Sequence, residues 1–162
     1  MTVMEQLLEN NETYAAGFDK GGLPAPPARK LAIVTCMDAR IHPEAALGIA
    51  LGEAHVIRNA GGRIADALRS LAISQTLLGT EEVAIIHHTD CGMLTFSDED
   101  IRAKLRERGA DADHIAFLPF RDLDGSVRDD IALYKSSPIV RQDIPVHGYL
   151  YDVNTGRVTQ VA

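Results

Sequence analysis

The stretches LAIVTCMDAR, residues 31–40, and VAIIHHTDC, residues 83–91, decide the fold of this chain. Each begins with a short run of apolar, mostly β-branched side chains, a composition typical of strands that are buried on both faces. Each run leads into cysteine, aspartate or histidine. We therefore predict two buried strands, with Cys36 and Cys91 just beyond their ends.

Between these two strands, the spacing of the apolar residues changes to that of a helix. Apolar side chains recur at helical spacing and then meet Gly79, which predicts a helix over 64–78. We also predict a short strand at 54–58 and a helix at 44–51, which follows Pro43 at its first turn. This alternation predicts an α/β fold with a central, mainly parallel β-sheet flanked by helices, in which ligands bind at the carboxyl ends of the strands.

The rest of the chain supplies further elements. An amphipathic N-terminal segment that includes Leu7 and Leu8 is followed by a Gly- and Pro-rich linker at 21–27. Two more helices are predicted at 97–108 and 125–135, and a terminal hairpin or edge-strand pair is predicted at 145–151 and 157–161. We predict one domain, with residues 1–28 as a helix and linker arm and residues 29–162 as the core that carries the site.

Composition limits the classes of function. The chain has 162 residues and a formal net charge of −7, and no cluster of Lys or Arg forms a phosphate-binding stripe, so we expect no nucleic-acid partner. No apolar run approaches the roughly 20 residues that span a bilayer, and residues 1–11 lack the pattern of a secretory signal. We therefore expect no membrane partner and a cytoplasmic location.

Cys36 and Cys91 are the only cysteines in the chain. In a reducing compartment they can be a metal pair, a redox pair or two inert buried thiols, and a structural disulfide is least expected. Taken singly, each is more often a buried small hydrophobe than a ligand. Together with a histidine from the pair His87 and His88, they fill three corners of a zinc tetrahedron, and a catalytic zinc site keeps the fourth corner for water or substrate. The combination favours a zinc-dependent hydrolase or hydratase.

Three ordered motifs resemble those of the β-class carbonic anhydrases. They are CMDAR at 36–40, RNAG at 58–61 and HTDCG at 88–92. The resemblance implies one zinc ion per chain, held by Cys36, His88 and Cys91, in a cytoplasmic enzyme that forms a homodimer or homotetramer. The chain is most similar to the compact bacterial subgroup, which also contains carbonyl sulfide and carbon disulfide hydrolases. It departs from the plant-type members at Ala50, where many of them carry a glutamine.

Asp38 and Arg40 are the candidate catalytic residues. Zinc lowers the pKa of a bound water toward about 7, but two thiolates oppose that effect because they cancel the charge of the metal. Asp38 can accept a hydrogen bond from the zinc-bound hydroxide, while Arg40 can hold the carboxylate by paired hydrogen bonds. The resemblance also implies a closed state with Asp38 as the fourth ligand. We therefore predict a pH-gated site that is inactive wherever Asp38 binds zinc.

Other polar residues near the motifs have simpler interpretations. We read His87 as the last residue of its strand, packed against a neighbouring element, and Asp90 as a solvated loop residue or a support behind the ligands. Arg58 and Asn59 are expected to hold loops by hydrogen bonding and not to touch substrate. His42 is a weak candidate for a proton relay because it follows Arg40 closely.

Three functions remain open from the sequence. The first is reversible hydration of carbon dioxide to bicarbonate by zinc-bound hydroxide, and the second is hydrolysis of carbonyl sulfide or carbon disulfide at the same site. All of these substrates are linear molecules with an electrophilic carbon, so the identity of the metal ligands does not distinguish between them. The third is a non-catalytic zinc-stabilised domain, although such a domain has no need of Arg40 beside its fourth ligand.

Overall fold

The computed structural model describes residues 1–162. Its five strands are β1 (Leu31–Cys36), β2 (Ala54–Asn59), β3 (Glu82–His88), β4 (Val146–Tyr151) and β5 (Val158–Gln160). Its five α-helices are α1 (Val3–Ala16), α2 (Pro43–Leu47), α3 (Ile64–Leu78), α4 (Asp98–Glu107) and α5 (Leu123–Ser136). Single turns of 3₁₀ helix lie at Ala60–Gly62 and Gly92–Leu94. No helix is both long and apolar enough to cross a membrane.

The strands form one sheet in the order β2-β1-β3-β4-β5. The first four strands are parallel, and β5 runs antiparallel to β4. The carboxyl ends of β1, β2 and β3 therefore meet at one edge, where Cys36 lies beside Asn59. The structure confirms the predicted α/β fold with a mainly parallel sheet.

Helices α3 and α5 cover one face of the sheet. Between them lies the main core, whose buried members come from both helices and from alternate positions of β1 and β3: Ala32, Val34, Ile64, Ala67, Leu71, Val83, Ile85, Val127, Ile131 and Tyr134. The opposite face carries an apolar groove of about 280 Å³. Leu31, Ile33, Ala84, Ile86, Tyr149 and Val158 are among its lining residues. We call this region the open sheet face.

Most predicted elements are confirmed, with small differences at their ends. Helix α3 has the predicted bounds and ends at Gly79, whose φ of 73° is left-handed. The prediction for α2 is wrong at its carboxyl end, since the helix stops at Leu47 and not at residue 51. Gly48 adopts a φ of 65° and its N–H closes the last turn, so the apolar residues that follow are outside the helix.

A buried ion pair joins α5 to the rest of the core. Asp130 is wholly buried, and Arg63 donates to its carboxylate from Nε (3.0 Å) and Nη2 (3.1 Å). His87 lies 3.1 Å from the same carboxylate through Nε2 and 2.7 Å from the hydroxyl of Ser126 through Nδ1. The prediction that His87 packs against a neighbouring element is confirmed, and that element is α5. The prediction that His87 is the last residue of its strand is wrong, because the pairing with β4 continues to His88.

Replacement of Asp130 by alanine tests this network. The change leaves Arg63 largely buried without its charge partner, which should lower the free energy of unfolding by about 3–5 kcal/mol. Asp129→Ala, at the exposed neighbouring position of the same helix, should change it by no more than about 0.5 kcal/mol. Urea unfolding followed by circular dichroism measures both. Equal effects of the two substitutions would contradict a structural role for the pair.

Candidate metal centre

The structure brings together the three side chains that the sequence predicted as metal ligands. Cys36 ends β1, His88 ends β3, and Cys91 follows a short turn after β3. All three are buried, and the two sulfur atoms and one imidazole nitrogen lie within 4.8 Å of one another. Each offers a ligand atom on the same side of the sheet edge, so the group could hold a metal ion.

His88 is oriented for metal binding. Its Nδ1 lies 2.9 Å from the carbonyl oxygen of Thr89 and donates to it. The proton therefore sits on Nδ1, and Nε2 presents a free lone pair. This Nε2 is buried and has no hydrogen-bond partner, an arrangement that costs free energy unless a cation accepts the lone pair. Two cysteine sulfurs and one imidazole are the donor set that suits zinc.

The two thiols share a proton unequally. The hydrogen bond that Cys91 donates to Cys36 lowers the pKa of the Cys36 thiol and raises the pKa of the Cys91 thiol. The backbone N–H of Gly61 also donates to the Cys36 sulfur, at 3.3 Å. Both contacts favour the thiolate of Cys36, which is the form that binds metals.

Two glycines allow the loop after β2 to reach the Cys36 sulfur. Gly61 has a φ of 81°, and a Cβ there would lie 2.9 Å from Met93 Cγ. Gly62 has a φ of 68°, and its Cβ would lie 2.9 Å from the carbonyl carbon of Thr35. This role was not predicted, although two adjacent glycines soon after a strand were a usable signal for close backbone approach.

Asp38 and Arg40 form the predicted pair. Arg40 donates to the two carboxylate oxygens of Asp38 from Nε (3.0 Å) and Nη2 (2.8 Å), and its backbone N–H donates to Oδ1 at 2.9 Å. These bonds hold the pKa of the Asp38 carboxyl well below its usual range. Asp38 Oδ2 lies 3.9 Å from His88 Nε2, so the carboxylate sits beside the position that a metal ion would take.

Asp90 also binds Arg40, a contact that the sequence did not reveal. Arg40 donates from Nη1 to Asp90 Oδ2 at 2.6 Å and from Nη2 to the Asp90 carbonyl at 2.9 Å. Asp90 has a φ of 54°, the left-handed conformation that aspartate tolerates better than most residues. The guanidinium therefore lies between two carboxylates.

Arg58 and Asn59 support the loops around the site, as predicted. Arg58 donates to the carbonyl oxygens of Cys36 (3.0 Å) and Asp38 (2.7 Å). Asn59 exchanges two hydrogen bonds with the backbone of Arg63. His42 stands at the start of α2 with a 78% exposed side chain, and its nearest charged neighbour is Glu44 at 3.9 Å. The structure shows no contact of His42 that supports the predicted role in a proton relay.

The site opens into a pocket of about 720 Å³. Apart from the two cysteines and the Asp38–Arg40 pair, its lining is mainly apolar or backbone: Met37, Ala39, Ala60, Gly61, Gly92, Met93, Thr95 and Phe96. Such walls suit a small, weakly polar molecule that approaches the Cys36, His88 and Cys91 group.

Comparison with known proteins agrees with this site. A family model described as carbonic anhydrase matches residues 31–116, which is more than half of the chain. β-Carbonic anhydrase 1 of Mycobacterium tuberculosis is 45% identical over 162 residues, with 99% of each chain covered. Carbon disulfide hydrolase of Saccharolobus solfataricus is 32% identical, over 96% of this chain and 87% of that protein.

Solved structures agree in the same way. The crystal structure of carbonic anhydrase from Streptococcus mutans superimposes with a TM-score of 0.95 and 47% sequence identity, and the match covers 100% of this chain and 99% of that one. The family model, these identities and this fold together show that the chain belongs to the β-carbonic anhydrase family.

Proposed function

We propose that this protein catalyses the reversible hydration of carbon dioxide to bicarbonate, with one zinc ion per chain bound by Cys36, His88 and Cys91. One observation carries the proposal. The unpartnered Nε2 of His88 and two cysteine sulfurs surround a single position, and a carboxylate that Arg40 restrains lies beside it. We further propose a cytoplasmic location, because both thiols have to stay reduced to serve as ligands.

The charges of the three proposed ligands determine how the rest of the protein has to assist a zinc-bound water. Zinc bound there would supply a water molecule that is acidified enough to attack carbon dioxide at neutral pH. The thiolates of Cys36 and Cys91 place negative charge beside that water and weaken the acidification. The N–H of Gly61 offsets part of this charge by donating to the Cys36 sulfur. A negatively charged acceptor cannot restore the acidification, so what the chain itself adds is an acceptor that orients the attacking water.

Asp38 is that acceptor. Its carboxylate is ionised at neutral pH because Arg40 lowers its pKa, so it accepts a hydrogen bond and does not keep the proton. Oδ2 faces the metal position, whereas the Arg40 fork fixes the plane of the carboxylate. A fixed acceptor orients the lone pair of the attacking water toward the substrate carbon, at no cost of reorganisation during the reaction.

The apolar walls of the pocket serve the same reaction. Met37, Met93 and Phe96 line the approach and offer no hydrogen bond that would hold water more tightly than carbon dioxide. Bicarbonate carries a charge that these walls do not compensate, so the product leaves toward solvent.

Hydrolysis of carbon disulfide or carbonyl sulfide is the second candidate function. Relatives named carbon disulfide hydrolase cover most of this chain at identities of 32% and 34%. The apolar walls accept a sulfur substrate as readily as carbon dioxide. The higher identity of 45% to a relative named β-carbonic anhydrase favours carbon dioxide.

Turnover of the purified, zinc-quantified protein separates these functions. We expect one zinc per chain and stopped-flow hydration of carbon dioxide between about pH 6 and 9, where metal-activated water ionises. Carbonyl sulfide and carbon disulfide are assayed in parallel on the same preparation. Activity on the sulfur substrates alone would transfer the assignment to the hydrolases, and zinc without either activity would leave a structural domain.

Substitution of Arg40 by alanine tests the Asp38–Arg40 pair. The change should lower kcat/KM for carbon dioxide by about 10- to 100-fold, the usual cost of losing a partner that orients a group at a metal site. Zinc content should stay at one per chain, since Arg40 is not a ligand. Arg128→Ala is the control, because Arg128 pairs with an exposed carboxylate of α5, Asp124, through a single bond of 2.7 Å from Nε. Unchanged turnover in the Arg40 variant would remove the pair from the mechanism.

We also propose that the protein is a homo-oligomer whose basic unit is a homodimer built by exchange of α1. None of the side chains of α1 is buried, and apolar residues form an exposed stripe along it and beyond its end: Val3, Met4, Leu7, Leu8, Tyr14 and Phe18. A lone helix of 14 residues is only marginally stable in water. Each copy also carries an open sheet face of matching apolar character. A two-fold arrangement in which each α1 lies on the partner's open sheet face covers both surfaces at once.

Substitution of Leu7 by aspartate should dissociate this dimer. A charge in the middle of the apolar stripe has to be desolvated on docking, so the mass measured by light scattering after gel filtration should fall to that of one chain. Gln6→Asp adds the same charge at a position outside the stripe and should leave the oligomer intact. A dimer that survives Leu7→Asp would place the interface elsewhere.

A further inference from the structure

The Arg40 guanidinium is held from two sides by different N–H groups. Nε and Nη2 donate to the carboxylate of Asp38, while Nη1 donates to Oδ2 of Asp90 and the second hydrogen of Nη2 donates to the Asp90 carbonyl. Guanidinium has five N–H donors, and four of them are used without competition. Asp90 therefore adds a restraint on Arg40 and takes nothing from its bonds to Asp38.

In the series of contacts from Asp90 to Arg40 to Asp38, the backbone of Asp90 is more firmly fixed than the Arg40 side chain. Asp90 lies between two candidate ligands, His88 and Cys91, in a turn with left-handed φ. The same turn is tied to the end of β4, because the N–H of Thr89 donates to the Tyr151 carbonyl at 2.9 Å. The Asp90 carboxylate is itself 76% exposed, but a single carbon joins it to this fixed backbone, whereas Arg40 is a long side chain that is 47% exposed. Without Asp90 it would keep Asp38 as its only charged partner and could move with it.

We propose that Asp90 is a positioning residue: it anchors Arg40 where that side chain holds the Asp38 carboxylate away from the metal position. Asp38 Oδ2 is only 3.9 Å from His88 Nε2, so a small movement brings the carboxylate to the place of the attacking water. Arg40 opposes that movement only as long as its own position is fixed. Asp90 thus shifts the site toward the state in which water, and not Asp38, occupies the fourth metal position. The inference rests on the proposed zinc site.

Two substitutions at Asp90 test this role. Asp90→Gly removes the whole side chain and keeps the left-handed backbone, and Asp90→Asn removes the charge at almost constant shape. The probe is the protein with Co²⁺ in place of zinc, whose visible absorption changes when a carboxylate replaces water as a ligand. Asp90→Gly should shift the spectrum toward that of Arg40→Ala, and Asp90→Asn should shift it less. The kcat for carbon dioxide should fall by about two- to five-fold, as expected for loss of one exposed charged contact.

A double-substitution cycle shows whether Asp90 acts through Arg40. In an Arg40→Ala background, Asp90→Gly should leave the cobalt spectrum unchanged, because no guanidinium remains to be positioned. Asp113→Asn removes a similarly exposed carboxylate, which pairs with Arg106, and should change neither spectrum nor turnover. Metal content and the urea unfolding midpoint confirm that each variant is folded and loaded.

The outcomes separate this inference from the proposed function. A shift that depends on Arg40 supports the positioning role even if the protein turns over no carbon dioxide, since the spectrum reports on the metal and not on catalysis. An unchanged spectrum in Asp90→Gly, an equal shift in the Arg40→Ala background, or a rise in kcat would overturn it. Absence of carbon dioxide turnover in the unsubstituted protein contradicts the proposed function alone.

Discussion

The site depends on the parallel register between β1 and β3. Thr35 lies beside Ile86, so Cys36 ends its strand at the level where β3 continues into His87 and His88. Side chains on a strand alternate between its faces, and the two histidines therefore serve different parts of the molecule. His87 reaches Ser126 and Asp130 in α5, whereas His88 turns its Nε2 toward the two cysteines. A register shift of one residue would exchange these roles and bury the wrong imidazole at the site.

The register is in turn supported by a layer of buried polar contacts behind the site. Arg63 joins the start of α3 to Asp130 in α5, donates to the Leu118 carbonyl, and lies over the Phe120 ring. Phe120 stacks on His87, the neighbour of the candidate ligand His88. A buried network of this kind has few alternative arrangements, because every polar atom that loses its partner costs free energy. The contacts of Arg63 therefore help to fix the loop that brings the Gly61 N–H to Cys36, in addition to the loop's own backbone conformation.

Local patterns in the sequence were enough to predict the strands, helix α3 and the two cysteines of a candidate metal site, whereas the choice of His88 over His87 came from the resemblance to the β-class carbonic anhydrases. Period and composition report burial, and the carboxyl ends of parallel strands necessarily meet, so Cys36 could be placed near the His87–His88 pair without coordinates. The end of α2 was mispredicted because apolar residues continue beyond Gly48, and only its left-handed φ stops the helix. The Arg63–Asp130 and Arg40–Asp90 pairs join residues that are 67 and 50 positions apart. Such contacts follow from tertiary packing and from one left-handed turn, neither of which leaves a periodic signal.

The charges around the site explain why a carboxylate and a guanidinium have to accompany these ligands. Two thiolates and one neutral imidazole cancel the charge of a zinc ion, whereas three imidazoles would leave it at +2. A neutral site binds an anionic product weakly and so releases it readily, but it also acidifies water less. In the proposed mechanism Asp38 offsets this by orienting the attacking water, yet a free carboxylate beside a metal would itself be a good ligand. The bonds from Arg40 to Asp38 would resolve this conflict in the proposed site, because they leave the carboxylate able to accept a hydrogen bond and would restrain it from binding the metal.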